Sequence, residues 1–139
     1  MDYRFDEAEE SFRAEIRRFA AKSLAPYYQS DDRVPRSRRT LASDMAGVGL
    51  TGLRIPEEYG GQAAGAVVAG IAAEEVGRAD FNATPLVINT GLISDILVRN
   101  ATEEQRQAWL PAIASGDILP CICLTEPGHG TDAANLELK

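Results

Sequence analysis

The chain reads as a mainly α protein whose C-terminal stretch turns into extended structure. Two capping boxes predict it, Asp6 with Glu9 and Thr102 with Gln105, each an N-cap oxygen followed three residues later by a side chain that reaches back. Apolar positions recur at helical spacing through most of the region between them. The third observation is the alternation from Leu119 to Leu124, which fits a strand and runs into a glycine-rich turn.

The first helix starts at Asp6 and carries Phe12, Ile16, Phe19 and Leu24 on its inner face, ending near Pro26. Its polar face holds Glu10, Arg13, Arg17 and Lys22. A second helix follows Pro35, with Leu41, Met45 and Val48 directed inward, and stops at Gly47 to Gly49. Leu50 to Gly61 contains Pro56 and the pair Gly60 and Gly61, which regular elements tolerate poorly, so a structured loop is expected. Ala63 to Gly77 is an alanine-rich helix whose small residues permit close packing. Pro85 to Val98 is apolar around Asn89, Thr90, Ser94 and Asp95, a buried helix with a few polar contacts, in which Gly91 marks a close approach to the backbone. Thr102 opens the last helix, anchored by Trp109 and Leu110. Pro111 predicts a kink or early end there, because it lacks a donor and crowds the preceding turn. After the strand, Asn135 to Lys139 begins a second one. One or two strands lack the partners that a stable sheet needs, so further strands are expected from a longer product or a partner chain.

With 139 residues, 45% of them hydrophobic, the chain is long enough for one domain with a real core. A net charge of −7 and a pI near 4.7 argue against nucleic acid. Arg33, Arg36, Arg38 and Arg39 cluster, but Asp31 and Asp32 precede them, and the group reads as a solvated helix start. No uninterrupted apolar run approaches the ~18 residues that suggest a membrane span, and MDYRFDEAEE is acidic where a signal peptide is basic. A cytoplasmic protein is expected. Cys121 and Cys123 sit two apart on the strand, a poor geometry for joining to each other. With one histidine, His129, they offer too few ligands for a metal site.

Chemistry concentrates in Cys121 to Asp132, CICLTEPGHGTD. A strand end that delivers Thr125, Glu126 and Pro127 into a turn with Gly128, Gly130 and Thr131 lets a bulky ligand approach the backbone. It also offers N–H donors and two hydroxyls. The competing reading makes Thr125 and Thr131 ordinary turn hydroxyls bonded to their own backbone. The string resembles the flavin-contacting signature of the acyl-CoA dehydrogenase family. Gly49 to Gly61, GLTGLRIPEEYGG, resembles that family's loop between early helices, and Thr102 to Gly116, TEEQRQAWLPAIASG, its last N-terminal helix.

The resemblance implies an N-terminal helical domain over residues 1–117 and the start of a middle β-domain over 118–139. It implies FAD as cofactor, and oxidation of an acyl thioester to the trans-2-enoyl thioester through loss of an α-proton and a β-hydride. By position, Thr125 places its hydroxyl near flavin N5, and Ile122, Cys123, Leu124, Gly130 and Thr131 belong to the cofactor-binding set. Thr131 also faces the substrate, whose acyl pocket is walled by Val87, Ile88 and Gly91. His129 departs from the small residue usual between the two glycines, and is either a thioester or phosphate contact or an exposed loop side chain. Glu57, Glu58, Glu74, Glu75 and Glu126 are read as solvated carboxylates. Relatives take the catalytic base from a C-terminal helical domain, so no catalytic residue is assigned here and the fragment alone is expected to be inactive.

The partners implied are acyl-CoA or a carrier-bound acyl group, an acceptor resembling electron-transfer flavoprotein, and copies of the same chain in a dimer or tetramer. A non-catalytic helical partner of a related flavoenzyme, an acyl-CoA oxidase and an acyl-carrier-protein dehydrogenase stay open as alternatives.

Overall fold

The computed structural model describes residues 4–29 and 37–138. The arginine cluster at 33 and 36, the two aspartates before it and Lys139 lie outside them. Six α-helices follow one another among the described residues: α1 (Glu7–Ser23), α2 (Ala25–Gln29), α3 (Arg38–Ala46), α4 (Ala66–Ala79), α5 (Thr84–Asn100) and α6 (Glu103–Ala114). The Asp6 carboxylate accepts from the Glu9 N–H and the Glu9 side chain accepts from the Asp6 N–H, which starts α1 as the sequence predicts. Thr102 and Gln105 do the same for α6.

α1 packs against α4, α4 against α5, and α5 against α6. Ile16 and Ala20 from α1 and Leu24 at its C-cap meet Leu41, Met45, Ala72, Val76, Leu86 and Val87 in one core. A second, smaller cluster joins Ile55 and Tyr59 of the loop to Leu110 and Ile113 of α6. The Tyr59 hydroxyl donates to Glu103, and burial chiefly pushes its phenol pKa up. Glu103 also accepts from the Gln107 amide at 2.9 Å, and this bond, with that of Tyr59, holds its carboxyl below the usual carboxylate range.

Loop 50–65 is ordered by its own backbone. Gln62 and Ile55 N–H both donate to the Gly52 carbonyl, Ala63 to Ile55 and Ala64 to Leu53. The Thr51 hydroxyl donates to the Ala114 carbonyl at 2.7 Å, tying the loop to the end of α6. Gly61 passes so close to the Ile55 carbonyl that a Cβ would overlap a backbone oxygen. Gly61→Ala should therefore destabilise the chain by ~1–3 kcal/mol, the usual cost of overpacking. A urea titration reads this as a lower midpoint, while Gly60→Ala tests a glycine with open space but a φ of +82°.

Several expectations need correction. Val48 does not face inward and is 42% exposed. α3 ends at Ala46, and the Leu50 N–H bonds the Met45 carbonyl around left-handed Gly49, so Val48 falls in the turn and loses the helical phase. Pro111 does not end α6, which continues to Ala114. Its ring and Gln107 lie on the exposed side, where water can take the freed carbonyl. Trp109 is 42% exposed, so of the two expected anchors only Leu110 is buried, and Ile113 packs beside it.

Phe81–Asn100 is, by length and composition, apolar enough to cross a bilayer, contrary to the count of uninterrupted apolar residues. Asn89, Thr90, Ser94 and Asp95 interrupt the run without making the helix polar on average. In this fold its Leu86, Val87, Thr90 and Ser94 are buried, and the Thr90 hydroxyl bonds the Leu86 carbonyl at 2.7 Å.

Extended structure follows α6, but no strand forms among the described residues. Residues 118–125 have no neighbouring strand to pair with, and a ladder needs two. The Asn135 region is likewise a short 3-10 turn, Ala133–Asn135, and not a second strand. Among the described residues the only β-pairing is an isolated antiparallel bridge between Glu126 and His129.

Candidate functional site

Two places gather the candidate residues. The first is an apolar groove of about 300 Å³ between α4 and α5, into which Val87, Ile88 and Gly91 all open. Ala66, Ala69, Gly70 and Ala73 form its α4 wall, and their small side chains leave the space. Val87 is buried at its base, whereas Ile88 is 51% exposed, so α5 is less buried than its composition suggests. Ile88, Leu92 and Ile96 recur every four residues and form an exposed apolar stripe. The close approach expected at Gly91 is real, and the group that approaches is the stem of Arg54: a Cβ there would lie 3.1 Å from Arg54 Cγ.

Arg54 and Asp95 are the charged lining residues of this groove, joined by a 2.7 Å ion pair. Sequence reading passed over Arg54. Its signal was available in hindsight, since a lone arginine in an apolar loop, LTGLRIP, needs an acceptor.

The second place is the turn after residue 125. The N–H groups of Glu126 and His129 donate to each other's carbonyls at 3.0 and 3.2 Å, closing a tight turn over Pro127 and Gly128. The Glu126 carboxylate accepts the N–H groups of Glu137 and Leu138, each at 2.8 Å, so it pins the chain end and is not simply solvated. His129 is partly covered, with Nε2 3.9 Å from the Glu137 carboxylate. Gly128 and Gly130 face open space, and neither the Thr125 nor the Thr131 hydroxyl bonds another described residue. That departs from the reading of both as turn hydroxyls satisfied by their own backbone.

Ile122, Cys123, Leu124, Thr125, Gly130 and Thr131 are all exposed, and Cys121 and Cys123 are free thiols. The strip therefore presents unpaired backbone donors, two hydroxyls without a described protein partner and apolar side chains, groups compatible with a flavin ring. The cavity at the turn and the groove that holds Val87, Ile88 and Gly91 have no lining residue in common.

One carboxylate was misread outright. Glu75 is buried at 2% exposure, not solvated. It accepts from Arg17 through both oxygens, at 2.9 and 2.7 Å, and from Arg13 Nε at 2.9 Å. The bonds from Arg17 lead in lowering its pKa to about 2, against the opposing effect of burial. Arg13 and Arg17 thus turn toward α4, although helical phase put them on the polar face of α1. A fully paired carboxylate of depressed pKa is a structural anchor and a poor proton acceptor.

Residues 6–117 match the family model described as the acyl-CoA dehydrogenase N-terminal domain. The chain belongs to the acyl-CoA dehydrogenase family. It is 32% identical over 138 residues to the (2S)-methylsuccinyl-CoA dehydrogenase of Cereibacter sphaeroides, an alignment covering 96% of this chain and 25% of that protein. An acyl-CoA dehydrogenase structure from Geobacillus kaustophilus superposes with a TM-score of 0.85 at 27% identity, over 98% of this chain and 36% of that one. A glutaryl-CoA dehydrogenase from Mycobacterium smegmatis, solved in complex with FADH2, superposes at 0.84 with 29% identity, over 95% and 34% of the two chains. The chain spans a quarter to about a third of the length of these relatives.

Proposed function

We propose that these residues are the N-terminal part of an FAD-dependent acyl-CoA dehydrogenase that converts an acyl thioester to its trans-2-enoyl thioester. In this reading 1–117 is the helical domain, and 118–139 opens a β-domain that acquires its strand pairing from the rest of the molecule. The observation that carries it is the groove. Val87, Ile88 and Gly91 line one apolar cleft of about 300 Å³, at the lower end of the range for small-molecule sites.

FAD, when bound, supplies the two-electron acceptor for the hydride that leaves the β-carbon. The chain's own contribution is binding and orientation. Uncommitted backbone groups of Ile122, Cys123 and Leu124 are available to the polar edge of the ring. Thr125 offers a hydroxyl that can donate to a ring nitrogen, and preorganised donors matter most where negative charge develops. Gly130 gives the backbone its approach and Thr131 a hydroxyl toward the pyrophosphate or the thioester. Val87, Ile88 and Gly91 take the hydrocarbon tail away from water. The α-proton needs a base within hydrogen-bond reach, and the paired Glu75 is not that base; a residue from the remainder of the protein supplies it. The same proposal includes an electron-transferring flavoprotein as acceptor, assembly with further copies of the chain, and a cytoplasmic setting.

Thr125→Val in the complete protein is the site-level test. It removes the hydroxyl and preserves shape, and should lower the rate of flavin reduction by roughly ten- to a thousandfold, up to the scale of losing one preorganised donor. Stopped-flow reduction by acyl-CoA measures it. An unchanged rate and unchanged flavin content would remove Thr125 from the site.

A further inference from the structure

The groove between α4 and α5 is apolar except at one end. Its lining advances along α5 from Val87 and Ile88 through Gly91 to Asp95, a length of about 12 Å at about 1.5 Å per residue. A short connection makes α4 and α5 antiparallel neighbours, so the start of α4 lies beside the Asp95 end. Arg54 joins the two walls there. Its Nη1 donates to the Ala64 carbonyl, just ahead of α4, at 2.9 Å, and its Nη2 to Asp95 on α5 at 2.7 Å. The stem of the same side chain rests against Gly91.

A guanidinium held at two points is a strut and not a wandering surface charge. Asp95 neutralises it, so the pair has no need of a charged ligand. An alkyl tail advancing along the groove meets a half-buried ion pair whose side chains are 24% and 36% exposed. To pass, it must strip water from the pair or break it, and stranding a charge in apolar surroundings is costly. We infer that the Arg54–Asp95 pair is the stop of this groove, ending the space open to the hydrocarbon tail and so fixing the longest acyl group the protein accepts. The inference rests on the reading of the groove as the acyl site.

The test uses the complete, flavin-loaded protein with butyryl-, octanoyl- and palmitoyl-CoA. Binding is followed by thermal shift and turnover with an artificial electron acceptor. Replacing both partners, Arg54→Ala with Asp95→Ala, opens the end without leaving an unpaired charge. It should raise the palmitoyl-to-octanoyl ratio of kcat/KM, and of affinity, by roughly tenfold, the scale at which pockets sense methylenes. Gly91→Ala pushes on the Arg54 stem and should move both ratios the other way. It decides alone if the double variant does not fold. Equal ratios in all three proteins overturn the inference, as does a preference of the unaltered protein for an acyl-CoA ending in a carboxylate. Chain-length-dependent binding that shifts as expected without turnover supports the stop and removes the dehydrogenase reading. Turnover with an unshifted profile does the reverse.

Discussion

Glu75→Ala lowers the stability of this chain by about 3 kcal/mol at neutral pH, the lower part of the range for breaking a buried ion pair. The side chain is the hub between α1 and α4, and its loss frees Arg13 and Arg17 to return to water, which moderates the cost. The pH dependence is the sharper signature. Glu75 has a depressed pKa of about 2 in the folded chain, against an ordinary value of 4.5. Above 4.5 it is ionised in both states and its contribution is complete. Between 4.5 and about 2 the unfolded chain binds the proton first, and the contribution drains away. Urea midpoints measured across that window should fall steeply for the natural sequence and distinctly less steeply for Glu75→Ala. Parallel slopes would show that the arginines do not hold this carboxylate.

Leu110→Ala should cost about 2–5 kcal/mol, because the side chain is fully buried and its removal leaves a cavity. Leu110 packs with Ile55, Tyr59 and Ile113 in the smaller cluster, at the point where the chain leaves α6 for residues 118–125. The Ile118 N–H donates back to the Ala112 carbonyl at 2.9 Å, so loosening α6 also loosens the base of the segment that bears Thr125. Hydrogen exchange should rise at Ile55, Gln62 and Ile118 together with the fall in the urea midpoint. Trp109→Ala is the internal control. Its larger side chain is 42% exposed, and the cost should stay below that of Leu110→Ala by at least a factor of two.

The helices were legible because their signals are local. Asp6 with Glu9 and Thr102 with Gln105 fix two starts by chemistry that spans three residues, and both capping boxes form. Gly91 was legible as a close approach, though not what approaches it, since Arg54 comes from 37 residues earlier in the chain. Glu75 was illegible for the same reason. Its partners lie on another helix, and a glutamate with two distant arginines has the same one-dimensional signature as a solvated one. Helical phase put Arg13 and Arg17 on the polar face of α1, and their long stems let them turn onto α4 regardless. The strand from Leu119 to Leu124 was legible as a pattern but does not pair, because alternation prepares a face while only a neighbour makes a ladder. At the candidate site, the three groove residues came from family resemblance and fall together in space. The turn's two hydroxyls were legible from the local string CICLTEPGHGTD, whereas their lack of a described protein partner was not.

Anaerobic addition of octanoyl-CoA to the complete, flavin-loaded protein tests the central claim most directly. The account predicts that the oxidised flavin band bleaches in proportion to substrate and that trans-2-octenoyl-CoA is recovered in equal amount. A flavin that stays oxidised with butyryl-, octanoyl- and palmitoyl-CoA alike, or a complete protein that holds no flavin, would contradict it.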